Sequence, residues 1–225
     1  MNLASIASAR AVAFVELNDL NPHGRVYFPA VTSMLVEKFR FQQYPSKLED
    51  YDEQKGVVFA QGYTGDTVID KITLWSSVIA VDMRTSTDDS VNLLRSILEW
   101  LRDEAGVRYE PAMIKRWAYL SQLTFYSDAD MDLVSPALKR LSNKLTVQMA
   151  ELYQKSAEFR MASVALNFDR TVTPFAVAQF SIERRADTPY ADNKYFSAAP
   201  IPTATHIKLL EEFEWDVMAE TIDIK

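Results

Sequence analysis

The chain has 225 residues, 48% hydrophobic and 24% charged, the balance of a globular protein of one large or two small domains, which excludes disordered, collagen-like and coiled-coil classes. With 24 Lys and Arg against 31 Asp and Glu the formal charge is −7, the wrong sign for a phosphate-backbone binder, so nucleic acid is not an expected partner. The chain has no cysteine and only five glycines, which removes disulfides, thiolate nucleophiles, cysteine-ligated zinc and glycine-rich phosphate cradles.

Residues 11–17 (Ala-Val-Ala-Phe-Val-Glu-Leu) read as a buried strand, being apolar and partly β-branched. A cluster of turn residues, 18–24, ends it. Residues 25–28 read as a short extended return, and Pro29 suits the first turn of a helix, where its missing N–H is not needed. Val31, Leu35 and Phe39 then recur at i, i+4 and i+8 with Met34 beside them, an apolar helical face. Residues 44–54 form a polar connector.

Three strands follow at 57–64, 67–74 and 78–83, with Gly65-Asp66 as the turn between the first two. Residues 85–90 supply N-cap chemistry for a helix over 87–105, with Val91, Leu94, Ile97, Leu98 and Leu101 on its inner face. A second round has a strand at 115–126, a turn at 127–130 and a long helix over 133–153. That helix carries Val134, Leu138, Leu141, Leu145, Met149 and Leu152 on one stripe and is expected to pack against a sheet or another helix. Strands at 159–168 and 175–184, a polar loop containing 190–196 and a helix over 205–219 complete the chain.

The two rounds superpose at an offset of 109 residues, pairing Asp19 and Asn21 with Asp128 and Asp130. Strand periodicity puts each pair on one side. Two unrelated strand–helix units account for this equally well. Residues 1–10 do not have the build of a secretory leader, and no window approaches the ~20 apolar residues of a membrane span. A cytoplasmic location with no membrane partner is the expectation.

Asp19, Asn21, Pro22, Gly24, Val26, Tyr27, Phe28 and Pro29 fall in the register of a signature found between the first strand and the central helix of a known fold. The stretch resembles hotdog-fold thioesterases of the 4-hydroxybenzoyl-CoA type, and Gly65-Asp66 is similar to a later turn of those domains. The resemblance implies an α+β fold, hotdog-like, with an antiparallel sheet wrapped on a central helix and two copies in one chain. Residues 1–105 would carry the motif loop, and 106–225 would be a second, degenerate hotdog-like or α+β half. It implies an acyl thioester substrate on CoA or on an acyl carrier protein, the latter as a partner, with no other cofactor and no metal. Hydrolysis is the simplest reaction. Acyl transfer, decarboxylation or dehydration stay open, because Asn21 stands where the family's usual carboxylate sits and Val31 where a tyrosine is usual. A single hotdog domain would need a homo-oligomer, its sites being clefts shared by two copies; a double one would work alone.

Under this resemblance Asp19 or His23 would activate water or an acceptor, histidine being the side chain that titrates near neutrality. Asn21 and Tyr27 would orient the thioester carbonyl. Backbone N–H groups at Gly24-Arg25 and Ala30-Val31 would hold the oxyanion, with glycine at 24 permitting close approach.

Other chemistry is sparse. His206 reads as a surface residue in the first turn of the last helix, and Glu211, Glu212 and Glu214 as that helix's wet face. Asp128, Asp130 and Asp132 alternate, but the EF-hand glycine and terminal carboxylate positions hold Leu133 and Lys139, so a calcium loop is excluded. Trp75, Trp100, Trp117 and Trp215 suit packing in cores or interfaces. Two readings stand: an acyl-thioester enzyme, and a non-catalytic α+β protein that binds a protein partner or self-associates.

Overall fold

The computed structural model describes residues 1–24, 26–172 and 177–222. The fold is α+β, with eight strands that pair antiparallel wherever their register is defined. Two compact units divide it. One holds Ile6–Ser121 with Pro200–Thr203; the other holds Met1–Ser5, Gln122–Ala199 and Ala204–Lys225. The boundary expected between residues 105 and 106 lies inside the first of these. Among the described residues no helix is long and apolar enough to cross a membrane.

The first unit holds β2 (Val57–Thr64), β3 (Thr67–Trp75), β4 (Val78–Met83) and the larger parts of β1 (Asn2–Phe14) and β5 (Arg116–Tyr126), in the order β2-β3-β4-β1-β5. β2, β3 and β4 form a meander. Gly65 takes the left-handed conformation, φ 57°, that closes its first turn, so the three strands and this turn stand where the sequence places them. β1 is longer than the sequence expectation and ends at Phe14, after which Leu17–Leu20 forms a single helical turn, α1.

Helix α2 (Phe28–Phe39) begins with proline in its first turn and buries Val31, Leu35 and Phe39. Helix α3 (Thr87–Ala105) is capped by Ser86, which accepts from Asp89 N, and stops at Gly106 in the left-handed region. It buries Leu94, Ile97, Leu98 and Leu101 into the same core, with Val57, Phe59, Ile69, Ile79 and Val81 from the sheet. Alanines at 9, 11 and 13 are fully buried on β1. Their small size lets α3 approach closely enough for Ser90 Oγ to donate to the Ala9 carbonyl at 2.8 Å. Thr87 and Thr203 bond each other's backbone N–H through their hydroxyls at 3.1 and 2.8 Å, a reciprocal staple inside the unit.

The second unit holds α4 (Pro136–Tyr153), β6 (Ser163–Leu166), β7 (Phe180–Arg184), β8 (Lys194–Ala199) and α5 (Thr203–Ile222). β6, β7 and β8 form another antiparallel meander. Phe125, Met131, Ile182, Tyr195, Leu210 and Val217 are buried there.

Several sequence expectations need correction in this unit. β8 takes the last three residues of the stretch 190–196 expected as a loop: Tyr195, Ser197 and Ala199 alternate inward, and the polar Ser197 conceals that periodicity. β6 keeps only four of the ten residues expected at 159–168. The strand expected over 175–184 is present from Phe180, its first two residues lying outside the described ones. Most consequential, α4 buries none of its residues, and Leu138, Leu141, Leu145 and Leu152 of the stripe expected to pack against a sheet or another helix are exposed.

Candidate functional site

The loop between β1 and α2 is tied down by its own backbone and by one side chain. Val15 N and Leu17 N donate to Ser77 O and Ser76 O at 3.2 and 2.8 Å, and α1 sends Leu20 into the core. Asn21 then clamps the loop at two points, donating from Nδ2 to Val26 O at 3.0 Å and accepting from Val26 N at Oδ1, 3.1 Å. Only a side-chain amide offers a donor and an acceptor in this pairing. That accounts for asparagine at 21 on structural grounds, and it occupies the groups expected to orient a carbonyl. Gly24, at φ 59°, makes the turn that brings Val26 back.

The remaining motif residues spread outward. Asp19, His23, Gly24 and Ala30 are exposed, and Tyr27 is 71% exposed. Val31 is buried in the core; Arg25 lies outside the described residues. The amides of Ala30 and Val31, expected as oxyanion donors, both donate to Tyr27 O, at 2.9 and 3.2 Å. Neither of the cavities described next takes a lining residue from 19–31.

In the first unit a cleft of about 430 Å³ lies beside Lys38, Thr64, Met83, Asn92 and Trp100. Lys38 Nζ sits 4.2 Å above the Trp100 ring, which meets Phe39 edge-on. The sequence contained these residues on separate elements, with nothing to indicate that they meet.

In the second unit, Asp130 and Asp132 are consumed by cations and amides. Asp130 pairs with Arg160 and Arg184, and Asp132 accepts from Arg160 Nε at 2.8 Å, Lys139 Nζ at 3.1 Å and Met161 N at 2.8 Å. Arg184 is sandwiched with the Tyr190 and Tyr195 rings, 4.6 and 5.2 Å from their centroids, and also donates to the Met161 and Tyr190 carbonyls. Carboxylates neutralised in this way fasten residues 160 and 161 to the loop before α4 and have no vacancy for a substrate. Among the described residues no group of three His, Cys, Asp or Glu is placed to hold a metal.

His206 and Glu214 correct the sequence reading of the last helix. His206 is fully buried rather than on the surface. Its Nε2 lies 2.8 Å from Ser197 Oγ, whose own proton goes to Ser181 O at 2.7 Å. The imidazole is therefore the Nε2–H tautomer, and its Nδ1 has no partner among the described residues. Burial pushes its pKa down to about 4. A serine–histidine pair with no surface and a committed hydroxyl proton joins β8 to α5; it cannot receive a substrate. Glu214 is nearly buried. Burial pushes its carboxyl up, but hydrogen bonds from the Met1 ammonium, Ser127 Oγ and Asp128 N outweigh this and leave it below its ordinary value.

Around α4 the geometry is different. Leu138, Leu141, Leu145 and Leu152 are between 42 and 72% exposed, and the first three line a groove of about 160 Å³ with Phe159 and Met161. Ser142 Oγ donates to Phe159 O, and Thr146 Oγ1 accepts from Phe159 N at 2.9 Å, so this segment holds one flank of the helix and leaves the leucine face bare. No family model matches the chain, and no curated protein matches it.

Proposed function

We propose that this chain is a non-catalytic α+β protein that works by association, using the apolar face of α4. The observation that carries this reading is that an 18-residue helix buries none of its residues while presenting a row of leucines to solvent. Helices draw most of their stability from packing an amphipathic face, and an exposed apolar patch of this kind marks a surface that is covered in the working state. The motif loop supports the same conclusion from the other side, since its amide side chain and helix-start N–H groups are engaged within the loop.

A second reading follows from the resemblance. The order β1, motif loop, α2 and a three-stranded meander is what a hotdog-like domain implies, and α2 packs its apolar face on that meander's core. In this reading the first half is a hotdog-like acyl-CoA or acyl-carrier-protein thioester enzyme, the second half its degenerate copy, and Asp19 and His23 the acting groups. Turnover on a panel of aliphatic and aromatic acyl-CoAs separates the two. The association reading expects no hydrolysis above background; hydrolysis that disappears in Asp19→Ala or His23→Ala overturns it in favour of the enzyme.

A further inference from the structure

Along α4 the residues Leu138, Leu141, Leu145, Gln148 and Leu152 follow steps of three, four, three and four, which set them on one seam of the helix. The leucines of that seam are the exposed ones. The helix ends at Tyr153, and Gln154 turns the chain away in the left-handed conformation, so Lys155 does not extend the seam. On one border of the seam lie Lys144 and Glu151, seven residues apart and two helical turns along. Glu151 accepts a hydrogen bond from Gln148 Nε2 at 3.1 Å, which leaves its charge unneutralised.

We infer that the occupant of this face is α4 of a second copy of the chain, laid antiparallel across a two-fold axis near residues 146 and 147. The inference rests on the association reading and names its partner. Charge arrangement selects this occupant. In an antiparallel pair the border carrying Lys144 faces the same border of the other helix, so Lys144 meets the partner copy's glutamate at 151. The symmetry repeats the pair at the other end.

A parallel pair would instead set the border of Lys144 and Glu151 against the uncharged border of Ser142 and Met149 of the other helix, leaving both charges without a partner. In the antiparallel register Leu141 meets the leucine at 152 of the other copy, and Leu145 meets the glutamine at 148. The groove beside Leu138, Leu141, Leu145 and Phe159 receives the leucine at 152, which is the most exposed of the row in the isolated chain. Ser142 and Met149, on the other border, bring no charge into the contact.

Sedimentation equilibrium on the full chain tests this, with thermal unfolding of each variant to verify the fold. The wild type is expected to form a reversible dimer. Leu141→Glu together with Leu145→Glu is expected to leave a monomer that melts where the dilute, dissociated wild type melts, because both side chains are exposed in the single chain. Lys144→Glu alone and Glu151→Lys alone each set like charges at both ends and are expected to weaken the dimer about tenfold at low salt. The two together restore opposite charges and return the affinity to within about threefold of wild type. A wild type that is monomeric throughout, a dimer indifferent to the leucine changes, or a double charge variant no tighter than the singles overturns the inference. None of those results involves thioester turnover, so the association reading falls or stands on its own assay.

Discussion

Replacing His206 by glutamine tests the buried histidine through the pH dependence of stability. The imidazole has no exposed surface, its ring sits edge-on to Phe180 with centroids 6.1 Å apart, and Nδ1 has no acceptor to give a second proton to. Its pKa is about 4, against an ordinary value of 6.5. As pH falls through 6.5 the unfolded chain takes up a proton on this residue, whereas the folded chain does so only near 4. Stability from this group is therefore complete above 6.5 and drains away toward 4. Between about pH 7.5 and about pH 5 the loss is about 2 kcal/mol, and the full span is about 3 kcal/mol.

Urea unfolding, followed by the fluorescence of the four tryptophans, reads this directly. With a denaturant slope near 2 kcal/mol per molar, the wild-type midpoint should fall by about 1 M more than that of His206→Gln over the same pH interval. Glutamine retains an amide donor for Ser197 Oγ but does not titrate, and all carboxylate contributions are common to both chains. Equal shifts in the two proteins would refute the burial argument.

Three further outcomes follow from contacts in the fold. A Cβ added at Gly62 would lie 2.5 Å from two Phe41 ring carbons and 3.1 Å from Phe39 O, so Gly62→Ala is expected to cost about 1–3 kcal/mol, read as a lowered urea midpoint. Asn21→Ala removes both clamps on Val26 and should cost about 1–2 kcal/mol, whereas Asp19→Ala and His23→Ala, at exposed positions, should leave the melting temperature within a degree or so of wild type. Asp130→Ala strands Arg184, whose side chain is 2% exposed, and should cost about 2–3 kcal/mol. Combining it with Arg184→Met should cost less than the sum of the two single changes, as a double-mutant cycle would register.

The first unit was largely legible in the sequence because its signals are local and agree with one another. Val31, Leu35 and Phe39 mark a helix face, Gly65-Asp66 a tight turn, and Ser86 with Asp89 a helix cap. Each of these is fixed by neighbours a few residues away. The second unit was harder to read because its order depends on distant partners. Ser197 interrupts the apolar alternation of β8, and its polarity makes sense only once Ser181 and His206 are adjacent. His206 and Glu214 look like surface residues until the fold supplies the serine, amide and ammonium that satisfy them. The α4 stripe is plain in the sequence, but periodicity cannot tell a face that packs within the chain from one that awaits another molecule. The same limit applies to the motif loop: Asn21 matches a catalytic-loop pattern, while its two bonds to Val26 serve the loop itself.

The most direct test of the account is whether the α4 face is covered when the protein associates. The chain has no cysteine, so Leu141→Cys introduces a unique thiol on that face, and its rate of reaction with a thiol reagent can be followed from low to high micromolar protein. The account predicts full reactivity in dilute protein and progressive protection as the concentration rises, with protection lost when Leu145→Glu is added. A rate that stays constant across the whole range would contradict it.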